Sequence, residues 1–288
     1  MVRHKKAKSP LVSVNIPTFN SEKTLAMTVE AVKNQIYKNV EILVVDSYSK
    51  DRTLEIAKKH GCRVVMCKGG LLEARIRGAE ESKGEYVLFL DSDQILDSET
   101  IENCVEAMKD KDCLWLYERA YNRDKWLPSL YDADRILVQE YMKEGKDLSV
   151  VLPRFFKRAL LIKVFKNIPK DAIPLCSAQD HIITTYEIKK LTDKIGFVGD
   201  KERPGVQHME PDNIIKLIKK QYRWGKVTRE FHKTGFYPRL ISMKHKYRKF
   251  DGRNSSLSVK SFILRSLRGV PYFAGFWFGK NGGEAQKK

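Results

Sequence analysis

The stretch YVLFLDSD, residues 86–93, joins the most hydrophobic run of the chain directly to two aspartates. Five successive apolar residues suit a strand that is buried on both faces, as in a parallel sheet. Asp91 and Asp93 follow at its carboxyl end, where carboxylates are costly unless something neutralises them. Two such carboxylates can hold a hard divalent cation that keeps most of its waters and also binds phosphate oxygens. The stretch therefore predicts a metal-assisted phosphate site at a strand end.

The first hundred residues alternate strand and helix patterns with short connections. Strands are predicted at 11–16, 40–46, 63–67 and 86–90, with helices between them, and this order is typical of a parallel sheet with crossover helices. Ser49 is predicted to cap the second helix, and Gly61 stands where that helix should end. The sequence therefore predicts an α/β fold for this part of the chain.

Polar residues follow three of these strands. They are PTFN at 17–20, DS at 46–47 and DSD at 91–93. In an open α/β sheet, ligands bind beyond the carboxyl ends of the strands. The three turns are therefore expected to build one ligand site together.

The order of VSVNIPTFN, EILVVDSYSKDRT and EARIRGAEESKGEYVLFLDSD resembles the family-2 glycosyltransferases. The resemblance covers residues 11–100 strongly and 100–230 loosely. It implies the GT-A fold, a Rossmann-like mixed and mainly parallel sheet flanked by helices, and transfer of a sugar from a nucleotide-diphosphate donor. Many relatives have VVDDGSTD where this chain has VVDSYSKD, so the second acid is missing and the base preference stays open.

The resemblance also implies roles for single residues. Pro17, Thr18 and Asn20 are implied to form the first nucleotide-binding turn. Asp46 is implied to contact the base or ribose, and Arg75 to lie near the diphosphate. Asp91 and Ser92, in the acidic motif, complete the residues implied to bind the nucleotide sugar. A guanidinium such as that of Arg75 suits a diphosphate because it can bind two oxygens at once. For Arg75, the alternative is a solvated helix residue.

Metal and proton-transfer roles follow from the same resemblance. Asp91, Asp93 and His208 are implied as ligands of Mn²⁺ or Mg²⁺, and Mn²⁺ tolerates an imidazole better. His208 is predicted to lie in a loop over 199–211. Asp180 occupies the position of the catalytic base that takes the acceptor proton in inverting members, with Gln179 in place of the usual Glu. A helix N-cap is the alternative role of Asp180.

Positive charge is concentrated in the last third of the chain. The 288 residues carry a net charge of +18, and residues 201–288 hold 21 Lys and Arg against 6 Asp and Glu. A basic helix is predicted at 214–231, and SFILRSLRGVPYFAGFWFG at 261–279 combines aromatic side chains with arginines. Such a segment suits the headgroup region of an anionic membrane. Its apolar stretch at 269–279 is 11 residues long, which is too short to span one. A core helix and a dimer contact are the alternatives.

These patterns divide the chain into a basic tail at 1–10, a GT-A catalytic domain at 11–212 and a basic helical C-terminal extension at 213–288. Within the catalytic domain, 11–100 is expected to bind the nucleotide sugar and 101–212 to face the acceptor. Five cysteines without a CxxC pair indicate a reducing compartment. We expect a cytoplasmic protein that is peripheral on the cytosolic face of the cell membrane.

The resemblance and the basic C-terminal extension together predict transfer of a sugar, with inversion, to an acceptor hydroxyl. The acceptor is expected to be a lipid-linked glycan or another cell-envelope or glycoprotein precursor. A polyprenyl-phosphate acceptor is an alternative, and it would not need Asp180 as base. A nucleotidyltransferase would usually carry a glycine-rich loop with a lysine after the first strand, which PTFNSEK does not provide. An inactive scaffold is disfavoured because Asp91, Asp93 and Asp180 are present.

Nucleic-acid binding through the basic C-terminal extension at 213–288 is the alternative from another class. Aromatic side chains between lysines and arginines could stack on bases. The sequence has no RRM, KH or zinc signature. A nucleic-acid partner is therefore disfavoured relative to an anionic membrane surface.

Overall fold

The computed structural model describes residues 9–144, 151–176, 178–238 and 254–279, which form two compact units. The first unit consists of the described residues of Met1–Arg119, Ser149–Pro174 and Thr184–His208. The second consists of those of Ala120–Leu148, Leu175–Ile183 and Met209–Lys288. The predicted tail at 1–10 lies outside the described residues except for its last two positions, and the predicted domain boundaries stay a prediction.

In the described ranges, ten strands form two sheets. In chain order they are β1 (Val12–Thr18), β2 (Val40–Asp46), β3 (Arg63–Met66), β4 (Tyr86–Phe89), β5 (Gln94–Leu96), β6 (Cys113–Leu116), β7 (Glu118–Ala120), β8 (Phe155–Lys157), β9 (Ile195–Val198) and β10 (Val206–His208). The larger sheet has the order β3-β2-β1-β4-β8-β6-β9. Its first four strands are parallel to one another, β8 is antiparallel to β4 and β6, and β9 is parallel to β6. The predicted mixed, mainly parallel sheet is confirmed.

Helices α1 (Leu25–Lys33), α2 (Thr53–Lys59), α3 (Leu71–Glu81), α4 (Thr100–Ala107) and α6 (Arg158–Asn167) belong to the first unit. Alternate residues of β1 and one stripe of α1 form a single buried cluster, which includes Val12, Val14, Ile16, Leu25, Val29 and Val32. Side chains on one face of a strand repeat every two residues, and those on one face of a helix repeat every three to four. The apolar residues of β1 and α1 follow these two spacings and therefore face the same core. This cluster packs α1 against β1, which lies between β2 and β4 in the larger sheet.

The helix after β2 begins later than predicted. Its N-cap is Arg52, and the prediction that Ser49 caps it is wrong. The Ser49 hydroxyl instead donates to Oδ2 of Asp46 at 2.6 Å, because a fully buried carboxylate needs donors more than an exposed helix end does. Gly61 has φ 67° directly after the C-cap His60, which confirms the predicted helix end.

The smaller sheet has the order β5-β10-β7. Strand β10 pairs antiparallel with β5, with Val206 opposite Leu96 and His208 opposite Gln94. The prediction of a continuous loop over 199–211 is therefore wrong at 206–208. Those residues form a strand because a partner far away in sequence supplies their backbone hydrogen bonds. The pairing fixes His208 beside the acidic turn that follows β4.

The second unit is helical. It contains α5 (Trp126–Lys143), the first turn of α7 (Asp180–Leu191), α8 (Ile214–Lys233) and α9 (Ser255–Phe278). Leu217 of α8 and Leu264 of α9 join Leu127 and Leu130 of α5 in one buried cluster. The described part of the predicted C-terminal extension is therefore helical, as predicted.

Helices α8 and α9 approach each other closely through glycines. A Cβ atom at Gly275 would lie 2.0 Å from the carbonyl oxygen of Tyr222, and one at Gly225 would lie 2.0 Å from that of Tyr272. Only a residue without a side chain permits this backbone contact. In the described ranges, neither these helices nor any other combines the length and apolar character required to cross a bilayer.

Candidate active site

The turns after β1 and β2 are joined through one buried carboxylate. Thr18 and Asp46 are register partners, and the Thr18 hydroxyl donates to Oδ2 of Asp46 at 2.8 Å. The backbone N–H of Ser49 donates to Oδ1 of Asp46 at 2.8 Å. Asp46 is fully buried, so its carboxylate fixes both turns. Reading of the base or ribose by Asp46 stays a prediction.

Asn20 extends this connection on the outer side of the turns. Its N–H donates to the Ser49 hydroxyl at 2.8 Å, and its Oδ1 accepts from the N–H of Lys50 at 2.9 Å. Asn20 has φ 51°, a left-handed conformation that asparagine tolerates better than most residues. Pro17, Thr18, Asn20 and Asp46 therefore share one edge of the sheet.

The acidic turn after β4 lies against the same edge. The hydroxyls of Ser92 and Ser21 are 2.8 Å apart, and the Ser21 N–H donates to the Thr53 hydroxyl at 2.7 Å. The N–H of Asp91 donates to Oε1 of Gln94 at 2.9 Å, which closes the turn. The structure thus brings together the three polar turns that the sequence placed at strand ends.

Asp91 lies between two guanidinium groups. Nη2 of Arg75 is 3.0 Å from Oδ1 of Asp91, and Nη1 of Arg154 is 3.3 Å from Oδ2. Burial alone would raise the pKa of Asp91, but Arg154, Arg75 and His208 together hold that pKa well below its usual range. The carboxylate is therefore ionised throughout the physiological pH range.

Arg154 is a site residue that the sequence prediction missed. It is buried, and its Nε donates to Oε1 of Glu118 while its Nη1 faces Asp91. Its backbone is held between the two neighbouring strands, since its N–H donates to the carbonyl of Leu114 and its carbonyl accepts from Phe89. The sequence contained one indication, because Arg154 directly precedes the apolar strand β8, where a charge requires a partner.

Asp93 and His208 form a second pair at the acidic turn. Nε2 of His208 lies 3.3 Å from Oδ1 of Asp93. Two ligands of one octahedral cation at about 2.1 Å and a right angle are about 3 Å apart, so this pair fits Mn²⁺ or Mg²⁺. Within the described residues, no three His, Cys, Asp or Glu side chains form a metal-binding group. Asp93 and His208 would supply two ligands and leave positions for water and phosphate oxygens, and Asp91 as a third ligand stays a prediction.

Asp180 belongs to the second unit. It is the first residue of α7 and is buried, and its Oδ1 lies 3.5 Å from Nδ1 of His181. A carboxylate is favoured in the first turn of a helix by the helix dipole. Nε2 of the preceding Gln179 donates to the Thr228 hydroxyl of α8 at 2.5 Å, so this amide anchors the start of α7.

A mixed, mainly parallel sheet with an acidic turn at the end of a central strand is typical of glycosyltransferases of the GT-A fold class. The chain belongs to glycosyl transferase family 2, whose model matches residues 13–165.

Curated relatives agree with this membership. Glycosyltransferase GlyG of Streptococcus pneumoniae serotype 4 is 29% identical over 210 residues, which are 67% of this chain and 69% of GlyG. WfaP of Escherichia coli is named UDP-Glc:alpha-D-GlcNAc-diphosphoundecaprenol beta-1,3-glucosyltransferase. It is 34% identical over 116 residues, which are 38% of this chain and 46% of WfaP. The alignment with WfaP thus spans less than half of that protein.

Solved structures share the fold at low identity. S. aureus TarS in complex with UDP-GlcNAc is 17% identical with a TM-score of 0.55, and the match covers 92% of this chain and 90% of that one. The mannosyltransferase PcManGT from Pyrobaculum calidifontis, in complex with GDP-Man and Mn²⁺, is 16% identical with a TM-score of 0.55. That match covers 91% of this chain and 76% of the other. These likenesses establish the GT-A fold.

Proposed function

We propose that this glycosyltransferase moves a sugar from a nucleotide-diphosphate donor to an acceptor hydroxyl, with inversion at the anomeric carbon. The observation that carries the proposal is the acidic turn after β4. There, Asp91 lies between Arg75 and Arg154, and Asp93 lies 3.3 Å from His208. Paired guanidiniums and a cation site at a strand end are the groups that a diphosphate requires.

The donor is proposed to lie along the carboxyl edge of β1, β2 and β4. The residues proposed to bind it are Pro17, Thr18, Asn20, Asp46, Arg75, Asp91 and Ser92. Their connection through the Thr18–Asp46 and Ser21–Ser92 contacts supports a single site. The neighbours crystallised with UDP-GlcNAc and with GDP-Man support a nucleotide sugar as the donor class, and the base stays open between them.

We propose Asp93 and His208 as the side chains that hold Mn²⁺ or Mg²⁺, with Asp91 beside them in the same acidic motif. When bound, the ion would neutralise charge that develops on the departing diphosphate. Arg75 and Arg154 keep Asp91 ionised and fix its orientation, so that the turn stays rigid when the donor arrives. One neighbour crystallised with Mn²⁺, PcManGT, supports the choice of a divalent cation.

Asp180 is proposed as the general base. A carboxylate at this position can accept a proton from an acceptor hydroxyl. The deprotonated oxygen would then attack the anomeric carbon from the face opposite the diphosphate, and the configuration would invert. His181, whose Nδ1 lies 3.5 Å from Asp180, is proposed to help shape the acceptor side.

The acceptor is proposed to be a lipid-linked glycan at the cytosolic face of the cell membrane. The name of WfaP describes a diphosphoundecaprenol acceptor, and exposed side chains of the second unit support a similar acceptor here. Trp277 and Phe278 of α9 are 68% and 79% exposed, and Lys219 and Arg223 of α8 are exposed as well. Aromatic and basic side chains together suit an anionic headgroup region.

The donor assignment is tested by thermal shift with UDP-, GDP- and dTDP-sugars, each with and without Mn²⁺ or Mg²⁺. A donor that binds the native state raises the melting temperature. We expect one donor to do so, and only with the metal present. The proposal is contradicted if every donor raises the melting temperature equally without metal. It is also contradicted if no donor raises the melting temperature under any condition.

A further inference from the structure

Tyr48, in the turn after β2, has a backbone conformation that tyrosine rarely adopts. Among the described residues, positive φ occurs at three non-glycine positions, Asn20, Tyr48 and Tyr237, and the value at Tyr48 is 59°. For a bulky side chain this region is a genuine outlier. Such strain persists only where the surrounding structure fixes the backbone, and it is concentrated at binding sites.

The groups that fix this turn do not involve the Tyr48 ring. Asp46 accepts two hydrogen bonds from Ser49, and Asn20 accepts one from Lys50. These bonds hold the backbone immediately after Tyr48 and connect it to the turn after β1. Glycine would adopt the same φ without strain. The fold therefore gives no reason for an aromatic residue at this position.

The Tyr48 side chain is available to a ligand at the donor edge, because it is 57% exposed. Phe19, in the neighbouring turn after β1, is 53% exposed. Thr18 and Asp46 are paired in register. Phe19 follows Thr18 by one residue and Tyr48 follows Asp46 by two, so both aromatic residues come directly after the same end of the paired strands. Every nucleobase has an apolar face that stacks on an aromatic ring.

We propose that Tyr48 is a specificity-determining residue whose ring stacks on the base of the nucleotide donor. This inference rests on the proposed function, because it requires a nucleotide at this edge. The buried Asp46 carboxylate holds the turn, and the strained backbone presents the ring beside the base. Through this contact, Tyr48 contributes to which base the site accepts.

Three variants separate stacking from a structural role, with affinity for UDP and GDP measured by calorimetry in the presence of Mn²⁺. Tyr48→Gly relieves the strained φ, so the melting temperature of the free protein should stay equal or rise. Its affinity for the preferred nucleotide should nevertheless fall about 5-fold to 150-fold, the usual worth of one base stack. Tyr48→Leu keeps bulk without a ring and should lose affinity similarly, whereas Tyr48→Phe should bind as the wild type does.

Ile36→Ala serves as the matched control. Ile36 is an equally exposed apolar residue, at 51%, and it precedes β2 rather than following it. Its affinity for either nucleotide should not change. If Tyr48→Gly binds UDP and GDP as tightly as the wild type, the inference is overturned while the proposed function stands. If the wild type binds neither UDP, GDP nor their sugars with either metal, the proposed function itself fails, and the inference fails with it.

Discussion

Arg154 donates through Nη1 to Oδ2 of Asp91 at 3.3 Å, and the same guanidinium donates through Nε to buried Glu118. With Arg75 on the other oxygen of Asp91, two cations and two carboxylates balance one another inside the first unit. Buried charges are tolerated when they are paired in this way. Arg154 is therefore a positioning residue for the acidic turn.

Arg154→Met should destabilise the protein and weaken donor binding. The substitution removes the guanidinium that pairs with Glu118 and one of the two that face Asp91, and we expect a loss of about 3–5 kcal/mol in the free energy of unfolding. Denaturant unfolding and donor affinity are the measurements. Arg77→Met is the control, because Arg77 is an exposed partner of Glu81 on α3 and should cost at most about 1 kcal/mol.

The pH dependence of unfolding in a second Arg154 variant gives another readout. The pKa of Asp91 is lowered in the folded protein, so this group stabilises the fold above its unfolded pKa of about 3.9. That contribution is lost as the pH falls through the lower folded pKa. In Arg154→Lys, which keeps the charge without the guanidinium fork, acid unfolding should begin at a higher pH. Wild-type unfolding curves for both Arg154 variants would contradict the positioning role.

Asp93→Asn and His208→Gln should each weaken Mn²⁺ binding. We expect a loss of at least about tenfold, since even outer-shell changes cost that much in metal sites. Calorimetric titration of Mn²⁺ in the presence of UDP measures it directly. Asp97→Asn, four residues further along the same segment, is the matched control and should bind Mn²⁺ normally. Unchanged Mn²⁺ affinity in both variants would exclude this pair as the ligands.

Asp180→Asn should reduce turnover on a hydroxyl acceptor by about 10²-fold to 10⁴-fold, the range for loss of a general base. Donor affinity should not change, because the proposed contact is with the acceptor. Exposed Asp171, in the 3-10 helix Lys170–Leu175, provides the control variant Asp171→Asn. Retained turnover of Asp180→Asn on a polyprenyl phosphate would favour the phosphate acceptor, and retained turnover on a hydroxyl would exclude Asp180 as base.

Replacing both Trp277 and Phe278 by Ser should reduce flotation with anionic liposomes. These side chains are exposed on α9, and aromatic residues bind at the headgroup level. Wild-type binding should also weaken at high salt, because the basic side chains act through screened charge. Met66→Ser, which removes an exposed apolar side chain of β3, should float as the wild type does. Absence of wild-type flotation at low salt would rule out the membrane surface.

Gly275→Ala should destabilise the packing of α8 on α9. The new Cβ would lie 2.0 Å from the carbonyl oxygen of Tyr222, and relief of that overlap should cost about 1–3 kcal/mol. Gly269→Ala is a control within the same helix, because its Cβ would meet nothing nearer than 4.0 Å. It should instead stabilise by about 0.5–1 kcal/mol through helix propensity. Equal unfolding free energies for the two variants would contradict the close crossing.

The local sequence pattern was sufficient to predict a residue's position when that position depends on its sequence neighbours. The apolar runs of β2 and β4 predicted the parallel sheet, because strands buried on both faces need nearly continuous hydrophobic residues. The same runs placed Asp46, Asp91 and Asp93 at strand ends. By contrast, the cap assigned to Ser49 was wrong, since its hydroxyl serves a carboxylate that folding buries.

The sequence by itself therefore determined the fold class and the acidic turn of this glycosyltransferase, because both follow from residues that are adjacent along the chain. Only the tertiary structure decided what surrounds that turn. His208 lies beside Asp93 through the pairing of β10 with β5, and Arg154 reaches Asp91 from the residue before β8. Contacts between segments so distant in sequence have no local periodicity, and they form only when backbone pairing and burial of charge are satisfied together.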